Sequence, residues 1–319
     1  RDNLLSRGLG DVYKRQVTSN IINKRSVFTN TLVSLKSFIL LMKPRVMSLV
    51  IFTCAVGLIM SPSTIPFYNT IFSIFFVAIG AGAAGALNMW YEADLDKLMT
   101  RTCLRPIPTG KLNKNQALVF GIVLSIFSII GLYYSSNLLS AVILFITISF
   151  YVFVYTIWLK RKTPQNIVIG GASGALPPVI GWTIANNNLA LEPITFFLII
   201  FFWTPSHFWA LSLFKADDYR KANIPMLPLT NGIENTKINI LIYSILMLPV
   251  VIVPYLIGFV GNIYLIASLI LTFYYIFICY ELYSFKKNKF EISKAKKVFS
   301  YSIFYLFLLF VLFLVDKIF

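Results

Sequence analysis

The sequence predicts an all-α polytopic membrane protein, with nine transmembrane helices around a central cavity and a cytoplasmic N-terminus. Three observations carry this. Of 319 residues, 58% are hydrophobic and 13% charged, where a soluble domain is nearer half apolar and a quarter charged. Several apolar runs approach or exceed the ~20 residues that cross a bilayer. The basic residues, finally, fall almost entirely on one side of those runs.

In chain order the predicted spans are 46–61, 67–88, 117–134, 138–158, 166–184, 194–213, 238–259, 262–281 and 298–315. Links at 62–66, 135–137, 185–193 and 260–261 are short; those at 89–116, 159–165, 214–237 and 282–297 are mostly longer and polar. The chain has 28 Lys and Arg. Nine lie in the tail through Arg45, and the four polar links hold five, three, four and six, which leaves only Lys317 for the other side. That distribution obeys the positive-inside rule, and one span more or fewer would scramble it. Much of the net charge of +16 is therefore topological charge facing anionic lipid, and no nucleic-acid partner is expected.

Three cysteines, Cys54, Cys103 and Cys279, form no metal-ligand or redox spacing, and a single histidine excludes a multi-His metal site. Residues 1–16, R-D-N-L-L-S-R-G-L-G-D-V-Y-K-R-Q, lack an apolar core and a helical period, so they are no signal peptide. Their composition departs from the Ile/Asn/Lys/Phe-rich remainder. They are expected to be a non-native or disordered tail, with residues 17–319 forming a single nine-helix domain.

The densest polar stretch runs from Asn88 to Gly110, N-M-W-Y-E-A-D-L-D-K-L-M-T-R-T-C-L-R-P-I-P-T-G, directly after an apolar span. Asn88, Glu92 and Asp96 are spaced i, i+4, i+8 and share one helical face within ~80°. Two carboxylates and an amide oxygen suit a hard cation such as Mg²⁺, which keeps waters and takes substrate phosphates; a solvated helix end paired with Lys97 and Arg101 is the plainer alternative. Asp94 falls on another face. Arg101 and Arg105 repeat the i, i+4 spacing before Pro106 and Pro108 end the helix, and guanidinium forks match phosphate oxygens. A second acidic cluster, Asp217 and Asp218, sits four spans later on the same side, followed by Tyr219, Arg220 and Lys221. It suggests two half-sites facing one cavity; an Asp217–Lys221 ion pair is the alternative.

Further signals lie within the spans. His207, in W-T-P-S-H-F-W, is an ionisable residue at membrane depth and so a functional candidate, or a neutral histidine bonded to a neighbouring helix. G-A-G-A-A-G (Gly80 to Gly85) matches a dinucleotide fingerprint in letters only, because no strand precedes it; small residues there permit close helix packing. G-G-A-S-G-A-L-P-P (Gly170 to Pro178) must break its helix, and freed carbonyls at that depth point to a cavity wall.

These segments resemble the UbiA superfamily of intramembrane prenyltransferases, and within it the branch that farnesylates haem. The resemblance rests on K-P-R (Lys43 to Arg45), the 88–110 motif, G-G-A-S-G-A-L-P-P-V-I-G-W, H-F-W-A-L and D-D-Y-R-K-A-N-I-P-M-L-P, in order over 43–228. The wider superfamily usually has Asn-Asp and then Asp where this chain has Asn88-Met89 and Glu92, a departure typical of the haem-modifying branch. The aspartate that ends the superfamily's second motif is replaced by Lys221.

The resemblance implies transfer of the farnesyl group of farnesyl diphosphate to a vinyl group of haem b, with addition of water, to give haem O. It implies Mg²⁺ as cofactor, held by Asn88, Glu92, Asp96 and Asp217, with Arg101, Arg105 and Lys221 acting on the diphosphate. Lys43, Arg45, Asp94, Lys111, His207, Asp218 and Tyr219 then fall on the substrate-binding side. It further implies a bacterial inner-membrane protein with active-site loops facing the cytoplasm, in contact with a haem A synthase or oxidase assembly factors. A quinone- or chlorophyll-pathway prenyltransferase is the same-fold alternative; a transporter, which needs ionisable groups near the midplane, is the different-class one.

Overall fold

The computed structural model describes residues 35–284 and 292–319; the tail expectation for residues 1–16 lies outside them. Every described element is helical: α1 Leu35–Leu41, α2 Pro44–Met60, α3 Phe67–Tyr91, α4 Ala93–Leu98, α5 Lys114–Ser135, α6 Leu138–Ser149 with a π-helical continuation Phe150–Leu159, α7 Asn166–Ala175, α8 Pro177–Asn186, α9 Leu191–Phe214, α10 Ala216–Lys221, α11 Leu227–Thr230, α12 Ile233–Leu256, α13 Asn262–Ser284 and α14 Ile292–Ile318. Eight helices or continuous helix pairs among the described residues are long and apolar enough to span a membrane, and the bent pair α1–α2, counted as one span, makes nine.

The first span differs from expectation. Within the described residues a further helix, α1, precedes it and meets α2 at a bend of 54°. The corner is Lys43, in the left-handed region at φ 55°. Pro44 then starts α2 at a position where its missing N–H leaves no bond unmade. The fifth span breaks at Leu176, where Pro177 and Pro178 open α8, as the double proline dictates. The P-M-L-P segment leaves the helix through Asn223 at φ 51° and forms the single turn α11. Elsewhere polar caps set the starts: Asn113 and Gln116 make a reciprocal capping box on α5, and the Asn137 side chain accepts from the Ser140 N–H of α6.

The packing follows from which faces carry small residues. α3 lies along α5, α2 along α8, and α9 against α7, α12 and α14. Apolar side chains such as Ile122, Val123, Ile126, Phe127 and Ile130 on α5 stay exposed, which is stable only where the surroundings are hydrocarbon. The buried core of the second half is aromatic: Phe196, Tyr275, Tyr305, Phe310 and Phe313 are fully enclosed. Gly80 to Gly85 form part of α3, where a Cβ on Gly82 would meet Met42 at 2.6 Å. Those glycines serve close packing. Two grooves, of about 800 Å³ and 540 Å³, open at the end of the bundle away from Asn88.

Candidate active site

The site is built on the junction between α3 and α4. Glu92 closes α3 and opens α4 with φ −89° and ψ 10°. The i→i−4 ladder survives the junction, because the Glu92 N–H donates to the Asn88 carbonyl at 3.0 Å and the Asp96 N–H to the Glu92 carbonyl at 2.8 Å. Asn88, Glu92 and Asp96 therefore keep one face, and all three are buried, at 2%, 4% and 2% exposed.

Each of the three meets a cation from a different segment. Lys43, at the α1–α2 corner, donates to Asn88 Oδ1 at 2.5 Å. Lys160, at the end of the π-helical stretch, lies 2.5 Å from Glu92 Oε1. Arg105 donates from one nitrogen to both Asp96 oxygens at 2.9 Å. Glu92 Oε1 has the Lys160 charge close by but no hydrogen bond of good angle, so this buried carboxylate keeps a lone pair unengaged. Asn88 Nδ2 donates to Thr156 Oγ1 at 3.1 Å, and Thr156 in turn donates to the Tyr151 carbonyl five residues back, a bond the wide π-type turn presents.

The arginines differ from expectation. α4 ends at Leu98, so Arg101 and Arg105 stand on turns instead of sharing a helix face. A helix stops there because Thr102 donates its hydroxyl to the Asp96 carbonyl, the prolines follow at 106 and 108, and Gly110 takes a positive φ of 75°. Arg105 reaches Asp96, whereas Arg101 lies 5.9 Å over the Tyr219 ring.

The second acidic cluster turns its other aspartate inward. Consecutive residues on a helix point ~100° apart, so α10 can bury only one of the pair. Asp217 is 83% exposed in its side chain and pairs with Arg220 at 2.6 Å; the structure does not bring it to Asn88, Glu92 and Asp96. Asp218 is 6% exposed and accepts from the Thr100 N–H at 3.2 Å and its hydroxyl at 2.8 Å. Burial works to raise the Asp218 carboxyl, but these bonds and the charges of Lys215 and Lys221 outweigh it and hold it below the ordinary 3.8. Lys221, Lys111 and Arg45 are exposed.

Asp94 also points away from the stripe. Its carboxylate takes a two-point contact from Arg161 at 2.9 and 3.0 Å. Burial alone would lift this carboxyl; the Arg161 bonds and charge more than offset that and lower it. His207 is sandwiched between Trp203 at 4.3 Å and Phe299 at 4.6 Å, and its Nδ1 bonds Ser302 Oγ at 2.6 Å. In this structure it ties α9 to α14.

Lys160, Arg161, Tyr155 and Thr156 escaped the sequence reading as site residues. The signal was present as K-R-K after an apolar span, but charge sorting absorbs such a run as topology.

Two solved structures share this architecture. A structure of digeranylgeranylglyceryl phosphate synthase aligns with a TM-score of 0.74 at 18% identity, covering 89% of this chain and 99% of that one. A UbiA homologue from Archaeoglobus fulgidus bound to DMAPP and Mg²⁺ aligns at 0.63 and 16%, covering 88% and 99%. At such identities the likeness is one of fold. Residues 49–308 match the UbiA prenyltransferase family, and the chain belongs to that family. Among its relatives are a protoheme IX farnesyltransferase of Pelagibacter ubique (strain HTCC1062), 74% identical over 278 residues covering 87% of this chain and 92% of that protein, and one of Rhodopseudomonas palustris (strain BisB18), 50% identical over 285 residues covering 89% and 91%.

Proposed function

We propose that this chain transfers the farnesyl group of farnesyl diphosphate to a vinyl group of haem b, with addition of water, releasing diphosphate and forming haem O. The observation that carries the reading is the buried stripe Asn88–Glu92–Asp96 ringed by Lys43, Lys160 and Arg105. Its relatives at 74% and 50% identity bear the matching name.

The donor set fits Mg²⁺. All three groups offer hard oxygens, and Glu92 Oε1 retains a lone pair. With Asn88, Glu92 and Asp96 as the protein's donors, diphosphate and water would fill the remaining positions around the ion. When bound, Mg²⁺ supplies Lewis-acid shielding of the diphosphate charge. Asn88, Glu92 and Asp96 would hold it.

Lys43, Lys160, Arg105 and Arg101 hold the diphosphate and stabilise the charge it gains as the farnesyl C1–O bond breaks. The terminal vinyl carbon of haem b bonds to C1. The cation left on the adjacent carbon takes a water oxygen and loses a proton, which gives the hydroxyethylfarnesyl group. Tyr155 and Tyr151, whose rings lie 5.3 Å apart beside Lys160, offer aromatic faces to the allylic cation. The chain sits in a bacterial inner membrane with this end of the bundle facing the cytoplasm.

Purified protein in lipid nanodiscs, given Mg²⁺, farnesyl diphosphate and haem b, is expected to yield haem O by mass spectrometry. Prenylation of a quinone precursor with no haem O under the same conditions overturns the reading.

A further inference from the structure

We propose that Asp94 and Arg161 are a positioning pair that holds Lys160 at the prenyl diphosphate site. The proposal rests on the prenyltransferase reading above and assigns Asp94 a task other than touching substrate.

Asp94 stands two residues from Glu92 and two from Asp96, so it points ~200° away from both. Its side chain is 54% exposed and its partner is the guanidinium of Arg161. That guanidinium is fixed three ways. It grips both Asp94 oxygens, it lies 4.9 Å over the Tyr91 ring, and it donates to the Tyr91 carbonyl at 3.4 Å. Arg161 thereby fastens the link after the π-helical stretch onto the last turn of α3 and the first of α4.

Exposed ion pairs contribute at most ~1 kcal/mol to stability, so stability is a poor account of so specific a grip. What the grip sets is position. Lys160 is the residue just before Arg161, its side chain is 14% exposed, and it reaches Glu92 at 2.5 Å and lies 5.6 Å over the Tyr155 ring. A lysine on its flexible four-carbon stem has no fixed geometry of its own. With Glu92 engaged by a metal ion, the Lys160 ammonium loses its carboxylate partner, and the fastened backbone, together with the Tyr155 ring, keeps it beside the stripe. The diphosphate is then its counter-ion. Arg161 thus acts through Lys160, and Asp94 through Arg161.

The test is binding of farnesyl thiodiphosphate, which does not ionise readily, to the purified full chain with Mg²⁺, together with steady-state kinetics. Asp94→Asn and Arg161→Lys, the second keeping the charge but losing the fork, are each expected to weaken binding about tenfold, the lower range for lost supporting contacts at a metal site. Their kcat at saturating substrate is expected to fall as well, because the displaced Lys160 ammonium also stabilises the charge that the diphosphate gains as the C1–O bond breaks. In a Lys160→Met background, Asp94→Asn is expected to add nothing, because residues that act through one another are non-additive. Asp94→Asn that weakens binding by the same factor in both backgrounds, or that leaves binding unchanged in the wild-type background, overturns the proposal alone. Wild-type protein that binds no farnesyl thiodiphosphate overturns the prenyltransferase reading and this proposal with it. Haem enters none of the binding arms, so an error in the acceptor leaves this result standing.

Discussion

At the residue scale, three side chains make distinct predictions. Asn88 bonds both Lys43 and Thr156, so Asn88→Ala removes the oxygen proposed to hold the metal and a support for the π-helical stretch. Mg²⁺-dependent turnover is expected to fall about 100-fold, the upper range for metal-site contacts, with a thermal midpoint lowered but the fold retained, since the lost bonds cost about 1–3 kcal/mol; a variant that unfolds instead marks Asn88 as structural. His207 is held by ring stacking and one bond to Ser302. His207→Phe keeps the stack and loses a bond worth ~0.6 kcal/mol in a membrane, whereas His207→Ala leaves a void costing several kcal/mol. Thermal unfolding in detergent ranks the two, and equal loss in both contradicts the stacking role.

Asp218 carries a pH signature. Its folded carboxyl lies below 3.8, so the Thr100–Asp218 bond contributes stability above that value and loses it as pH falls through the lowered folded value. The gap in thermal midpoint between wild type and Thr100→Val is expected to be full at pH 6 and to shrink as the pH is taken below 3.8; a gap independent of pH refutes it. The identity of the inward aspartate was not legible in D-D-Y, since adjacent residues differ only by which way α10 is turned. The i, i+4, i+8 stripe was legible, because periodicity alone fixes a shared face and the ladder continues through Glu92.

At the element scale, α2 and α8 interlock through two glycines. A Cβ on Gly57 would lie 2.0 Å from the Pro178 carbonyl oxygen, and one on Gly181 1.9 Å from that of Cys54. Both obstacles are backbone, so neither can swing aside. Gly57→Ala and Gly181→Ala are each expected to destabilise the fold by about 3 kcal/mol or more, beyond ordinary overpacking. Gly174→Ala, with nothing within 4 Å, is expected to be tolerated; comparing the yields of monodisperse protein for the three variants checks this. The G-x-x-x-G at Gly170 and Gly174 gave no hint of that ranking. Gly170 meets the Tyr155 ring, while the critical contact falls on Gly181, because a motif states which residues are small and not which helix approaches. The break at Pro177 was legible from covalent chemistry, whereas the Lys43 corner was not, since X-Pro marks a boundary without giving its angle.

At the scale of the whole molecule, contacts distant in sequence assemble the polar end. Lys43 meets Asn88, Arg161 meets Asp94, and Thr100 meets Asp218 across 118 positions. The opposite end is pinned by α14: Asp316 accepts from the N–H groups of Gly261 and Tyr264 at the start of α13, and Lys317 donates to the Ile59 and Ser61 carbonyls at the end of α2. Both placements complement helix dipoles. Charge sorting predicts which end faces the cytoplasm. In a Cys103→Ser background, Lys97→Cys is expected to react with an impermeant maleimide only in inside-out vesicles and Leu189→Cys only in right-side-out ones. The reverse pattern inverts the topology.

The sequence by itself determined the membrane class, the eight or nine apolar spans and the face shared by Asn88, Glu92 and Asp96. These follow from composition and from fixed helical periods, which are local. Only the tertiary structure decided that Asp218 and not Asp217 turns inward, that Asp94 grips Arg161, and that Lys160 and Lys43 complete the ring of cations. Which distant segment supplies a partner depends on how helices pack, and packing is set by small-residue contacts and corners such as Lys43 that leave no periodic trace in the chain.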